Sequence, residues 1–383
     1  MFFSSSDKEN RSLVCTILEG SFELSLVTLG EKTVVHSFEQ REFRGDSGAF
    51  PVAEIRDGLS AFVAYHKLVP KSVAFVLGVP YAFAQARHLQ KKFPTPTLLT
   101  DRAFEAILEA DNAHIEQSVM VDHPRELAVI SRTISHVRLD GYEVESFIGK
   151  KVRAIELDMT VAYIDKSVYD ALDTLSQKLF PKSTVSYFAR PLALARSLGR
   201  VHNKQDALVV APDMDATDIL LLEKGVLAES ISVPFGARHL RERAMHALGV
   251  LPHEWSTLFH LFHLNDLTGA EMKRVGAAHE KAQNAWLAAL AKEWEPVRAQ
   301  YHLPTTLFIL AEEGITRFLG AALESKSLRR VLRERGDFVT HALDASYLVP
   351  KHLTLDRGTK QSLAQAYLIP GLFEVMHSLE KTL

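Results

Sequence analysis

One cysteine, Cys15, occurs in 383 residues, so an intramolecular disulfide and a zinc site built from several thiolates are both excluded, and a reducing compartment is implied. Long apolar runs are missing too. No stretch approaches the ~20 apolar residues that span a bilayer, and the opening MFFSSSDKENR lacks the apolar core of a signal peptide. A cytoplasmic protein is expected. Neither charge sign dominates, since 44 Lys and Arg face 47 Asp and Glu for a net charge of -3, which argues against a general phosphate-binding surface and against nucleic acid as a partner. The P-loop pattern and the nucleophile-elbow pattern GxSxG are absent, which removes two common routes to nucleotide and acyl chemistry.

What is present is the composition of a soluble globular protein, 47% hydrophobic and 24% charged, in a chain long enough for two or more packed units. Residues 13–18, 22–29 and 33–38 are β-rich runs separated by Gly20-Ser21 and Gly30-Glu31, and read as a three-stranded meander. The same unit recurs at 207–211, 218–222 and 226–233, with the separation of Gly20 from Gly30 repeated between Asp215 and Gly225. A helical stretch follows each copy, at 53–68 and at 238–248. A duplicated meander plus helix predicts two similar α/β lobes facing one another.

Between the copies, 72–77 reads as a strand, Asp101 as the N-cap of a helix to residue 110, 128–137 and 151–164 as strands around the turn Leu139-Asp140-Gly141-Tyr142, and 169–179 as a helix. These predict a small α+β domain inserted into the first lobe. The expected division is 1–71 for the first part of lobe one, 72–180 for the insert, and 181–383 for the remainder of lobe one and all of lobe two. Past the second meander the chain reads as mostly helical from about 252 to 300, with a strand at 305–310 and helix again from Ile315.

Three stretches carry a family resemblance. VRLDGYEVESFIGKKVRAIELDMTVAYI at 137–164, PLALARSL at 191–198 and ALVVAPDMDATDILLLEKGVLAESISVPFGARHL at 207–240 are similar, in that order, to segments of the bacterial actin-like proteins of the FtsA and PilM type. The first resembles a turn between two strands of their inserted SHS2 domain, the second the helix returning from that insert, and the third the second phosphate loop with its hairpin. The resemblance covers nearly the whole chain. It implies a two-lobed actin-like ATPase fold of the ribonuclease H-like α/β class, with an inserted SHS2 domain.

In members that bind ATP, two hairpin loops and a glycine-rich turn enclose the nucleotide, because glycine lets backbone N–H groups approach the phosphates. The resemblance places that cleft here at Gly20, Ser21, Asp213, Asp215, Thr217, Asp218 and Gly314. It also shows what has changed. Leu18 stands where a metal-associated aspartate is implied, Ala211 where the second loop's leading aspartate would be, and Asp213, Met214 and Asp215 where its glycines would be. Glu312 and Glu313 replace paired glycines beside Gly314. Added carboxylates repel a triphosphate unless a cation intervenes. The cleft therefore reads as vestigial, with no catalytic residue and no cofactor, and the chain as a non-enzyme; the alternative is an active ATP- and Mg-binding ATPase or switch. Asp213, Asp215 and Asp218 read as solvated loop carboxylates, with a new hard-cation site as the sharper alternative.

The same resemblance implies an adaptor on the cytoplasmic face of the cell membrane, serving type IV pilus assembly or cell division and receiving short cytoplasmic peptides of membrane-anchored proteins at its insert. Tyr142 and Phe147 are the candidate anchors, since aromatic side chains give large contact area; the competing reading packs both within the insert. Self-association is a further expectation. Direct membrane contact is not expected: Leu372, Met376, Leu379 and Leu383 fall at helical spacing, but Lys381 is outnumbered by Glu374 and Glu380. His260 and His263 lie one helical turn apart and read as packing residues beside Phe259 and Phe262 rather than as metal ligands. Cys15 reads as a buried small residue, and Trp255, Trp286 and Trp294 as core, the last two on one helix face.

Overall fold

The computed structural model describes residues 11–28, 33–43, 50–67, 69–122, 126–201, 205–311, 313–332, 339–342 and 353–355. The first meander consists of β1 (Arg11–Ile17), β2 (Ser21–Thr28) and β3 (Thr33–Glu42), paired antiparallel in sequence order. α1 (Val52–His66) then carries the chain back to β4 (Ser72–Leu77), which lies parallel to β1. β1 and β4 are buried on both faces, as central strands covered on both sides must be, with Ser12, Thr16 and Ser72 the buried polar residues among them.

The chain next leaves this sheet. β5 (Ala82–Leu98), α2 (Asp101–Asp122), β6 (Leu127–Leu139), β7 (Tyr142–Glu143) and β8 (Lys151–Asp165) build a separate four-stranded sheet of order β5-β8-β6-β7. Phe104, Ile107 and Leu108 of α2 cover Val137, Ile155 and Leu157 of that sheet and form its own core. The β6–β7 turn uses Asp140 at φ 49° and Gly141 at φ 87°, the left-handed pair that a tight hairpin with correct twist requires. The helix cap differs from the sequence reading: the Thr100 hydroxyl accepts from Ala103 N at 3.2 Å, so Asp101 is the first helical residue and not the cap. The helix also runs on past residue 110 to Asp122.

α3 (Lys166–Leu179), β9 (Thr184–Ala189) and α4 (Arg190–Val201) return to lobe one, where β9 pairs in parallel with β4. The segment 72–180 is thus divided by the fold. β4 belongs to the first sheet, and Val168, Leu172 and Leu175 of α3 join the core of lobe one. A run of 72–77 pairs with β1 because hydrophobic strands buried on both faces are satisfied only inside a sheet, and the nearest such partner lies sixty residues back.

Lobe two repeats the plan with β10 (Ala207–Pro212), β11 (Thr217–Glu223) and β12 (Val226–Val233) as the meander. α5 (Ala237–Leu248), α6 (Pro252–His263) and α7 (Gly269–Arg298) follow, then β13 (Thr306–Ile309) parallel to β10. α8 (Glu313–Leu319), a 3-10 turn at Gly320–Leu323, α9 (Ser325–Leu332), β14 (Val339–Ala342) and β15 (Leu353–Leu355) complete the described chain. The sheets read β15-β3-β2-β1-β4-β9 and β12-β11-β10-β13-β14, so the block of an antiparallel meander followed by two parallel strands occurs twice. α7 places Trp286 and Trp294 fully inside the second core, on the shared face their spacing predicted.

Candidate functional site

The loop after β1 and the loop after β10 meet across the interface of the lobes. Each is short because it joins antiparallel neighbours, and each points from the same end of its sheet. Gly20 and Ser21 from the first and Asp213, Asp215 and Asp218 from the second line one cleft, together with Leu18 and Arg190. Five of the seven residues expected there are therefore brought together. Thr217 is not among them, because its hydroxyl donates to Phe235 O at 2.8 Å and accepts from Trp286 Nε1 at 2.9 Å inside lobe two. Gly314 is the second residue of α8, and Glu312 lies outside the described residues.

The carboxylates are not solvated. Arg190, at the junction of β9 and α4, extends from lobe one with its side chain 3% exposed and places Nη1 3.0 Å from Asp218 Oδ2 and 3.4 Å from Asp213 Oδ2. Arg238 of α5 pairs through Nε with Asp215 Oδ1 at 2.9 Å. Burial raises the Asp218 carboxyl above its ordinary range, and the Arg190 charge opposes the rise. Asp215 is raised by burial against the pull of Arg238, while the more exposed Glu19 is raised by burial and then by the Asp215 charge. Negative charge is crowded here, and two guanidinium groups balance it. Charge-assisted pairs of this kind are short and strong when desolvated.

The glycines at the cleft allow close approach of protein groups. A Cβ on Gly20 would lie 2.6 Å from Arg238 Nη2, and one on Gly236 would lie 2.5 Å from Asp213 O. The first turn of α5 donates Ala237 N to Asp213 O at 2.8 Å and Arg238 N to Met214 O at 2.7 Å. These N–H groups, which at a free helix start would attract an anion, are held by the loop itself. The volume left in the cleft is about 10 Å³, roughly the ~10–15 Å³ that one water occupies. This donor set suits a guanidinium and does not fit a magnesium triphosphate. Arg190 and Arg238 were missed by sequence reasoning; the available signal for Arg190 was a lone cation between the apolar runs of YFARPLALA.

The other residues singled out in the sequence divide, and His260 is exposed where packing was expected. His263 touches the rings of Phe259, Phe262 and His279, and among the described residues no group of three metal-type side chains is arranged around an ion. Cys15 is fully buried, which pushes its thiol up. Phe147 packs on Phe104 in the insert's core, ring centroids 4.7 Å apart and planes tilted by 50°, whereas Tyr142 is 78% exposed. A wide groove of about 680 Å³ runs between β5 and α2, lined by Arg87, Leu89, Lys91, Phe93, Ala106 and Ala110. β5 is the edge of its sheet. The insert is also tied to lobe two, since the Thr160 hydroxyl donates to Leu227 O at 2.9 Å.

Two lobes of one strand order, with hairpin loops meeting over a shared cleft, define an actin-like ATPase fold. Among solved structures, the PilM–PilN type IV pilus biogenesis complex is similar over 95% of this chain and 98% of that chain, with a TM-score of 0.66 at 11% identity. The ethanolamine utilization protein EutJ of Carboxydothermus hydrogenoformans is similar over 95% of this chain and 89% of that one, with a TM-score of 0.45 at 12% identity. No protein-family model matches, and no curated protein matches in sequence. At these identities the likeness is one of fold.

Proposed function

We propose that the chain is a non-catalytic actin-like adaptor that recruits a membrane-anchored partner in type IV pilus assembly. The observation that carries this reading is the buried Arg190 guanidinium between Asp213 and Asp218, which supplies internally the positive charge that a nucleotide-bound metal would bring. Such a protein retains the two-lobed body and gives up the phosphate chemistry. The fold of the PilM–PilN complex supports pilus assembly over cell division. No described helix is long and apolar enough to cross a membrane; in this reading the partner supplies the attachment. The groove beside β5 supports a short peptide as the point of contact, because an edge strand offers backbone N–H and C=O groups for pairing and the neighbouring apolar side chains offer pockets.

Titration of the whole protein with Mg-ATP by calorimetry tests the first half of this reading. No saturable heat is expected, and micromolar binding would establish the nucleotide-dependent alternative. The second half is tested by capture from membrane extracts with the wild type and with Ala106→Trp, which fills the groove from an exposed helical position. The wild type should retain a pilus-assembly membrane protein that the variant loses. Equal retention by both would remove the groove as the docking surface.

A further inference from the structure

The cleft residues do more than exclude a nucleotide. In a two-lobed protein whose lobes meet at paired hairpin loops, whatever bridges the loops sets the angle between the lobes. Arg190 belongs to lobe one, where it follows β9 of the first sheet, and both of its carboxylate partners, Asp213 and Asp218, belong to lobe two. Its Cδ also lies 3.8 Å from where a Cβ on Gly78 would stand, and Leu18 Cδ2 lies 2.9 Å from that same point, so the arginine stem passes beside Gly78 and Leu18 of lobe one. Arg238, paired to Asp215 in lobe two, brings its Nη2 against Gly20 of lobe one, beside the Glu19 carboxylate. We propose that these two arginines form a permanent interlobe latch, which holds the body closed without any ligand and keeps the insert at a fixed orientation over β12. The proposal rests on the non-catalytic reading above and extends it to conformation: a molecule that needs no nucleotide to close has one shape to present to its partner.

The consequence for the insert follows from contacts on the same path. Thr160 of β8 donates to Leu227 of β12 at 2.9 Å, and Arg196 of α4 donates to the Thr133 hydroxyl of β6. α4 begins at Arg190 itself. A rotation of lobe two away from lobe one therefore strips the latch and the Thr160–Leu227 bond together, and leaves the insert held to lobe one through Arg196. Burial makes the Arg190 pair insensitive to salt, since screening acts weakly on desolvated charges.

The test is a distance measurement between the lobes by pulsed electron paramagnetic resonance. Cys15 is 0% exposed, so nitroxide labels can be confined to Tyr65→Cys on α1 and Leu251→Cys ahead of α6, positions whose native side chains are 83% and 59% exposed. In the latched protein the distribution should be narrow and unchanged by Mg-ATP or by molar salt. Adding Arg190→Ala and Arg238→Gln should broaden it and move it to longer distances. If the Arg190→Ala protein fails to fold, Arg238→Gln alone decides, because that side chain sits at the partly exposed rim. A distribution that stays narrow and unshifted in the latch variants overturns the latch while leaving the non-catalytic reading intact. A wild-type distribution that tightens or shifts with Mg-ATP overturns both.

Discussion

The two lobes share a strand order yet differ where they face each other. Lobe one presents Leu18, Glu19 and Gly20 at its hairpin loop, and lobe two presents Asp213, Met214 and Asp215. The strands behind them are buried on both faces in each lobe, so their side chains specify the sheet, while the loop after β10 holds the first turn of α5 through Asp213 O and Met214 O. The comparison teaches that two lobes of one strand order can meet through opposite charges, the buried arginine coming from lobe one and its carboxylates from lobe two. Gly20 makes room for the Arg238 guanidinium.

The two cores can be set against one another by removing their largest members. Trp286 is 0% exposed in lobe two and donates to Thr217, which in turn bonds to Phe235. Trp286→Ala should cost about 3–5 kcal/mol, seen as a lowered chemical-denaturation midpoint. If the lobes unfold as one unit, a single transition moves; if they are separable, the transition splits and only the part belonging to lobe two shifts.

The contact between lobes gives a smaller effect. Gly199 of α4 meets the β11–β12 turn so closely that an added Cβ would stand 2.0 Å from Gly225 O. Gly199→Ala forces the helix and the hairpin apart and should cost about 1–3 kcal/mol, with increased hydrogen exchange in β12 as the local signature. An unchanged midpoint would show that this helix and turn separate freely.

The smallest effect distinguishes the lobes by pH. His279 of α7 donates to the Phe318 carbonyl, and Gln283 donates to the same oxygen at 3.0 Å. Burial lowers its pKa from the ordinary 6.5, so the unfolded chain takes up this proton at a higher pH than the folded one does. The resulting stability is present above pH 6.5 and is lost as the pH falls through that value toward the lower folded one, at no more than about 1.4 kcal/mol per pH unit. His279→Gln should flatten the stability profile across this window when denaturation midpoints are compared. An unaltered slope would assign the titration to another group.

Much of the architecture was legible from local pattern. The meanders, the turn glycines Gly20 and Gly225, the helices after each and the tryptophan face of α7 all follow from periodicity and turn chemistry within a few residues, while Gly30 lies outside the described residues. Elements set by distant partners were not legible. β5 is a 17-residue strand containing Pro94 and Pro96, and its polar composition hides it because an edge strand tolerates proline and solvent that an interior one does not. Residues 72–77 looked like the start of the insert because the sequence carries no sign that β1 is their neighbour.

The site divides along the same line. The sequence by itself determined that the loop after β10 carries the carboxylates Asp213 and Asp215, and that a meander of one plan occurs twice, because both are properties of residue type and spacing. Only the tertiary structure decided what those carboxylates bind. Arg190 and Asp218 lie 28 residues apart in the chain, in different lobes, and an ion pair forms where folding removes both groups from water at the same point. Spacing along a chain does not encode that meeting; the packing of α4 between the two sheets does.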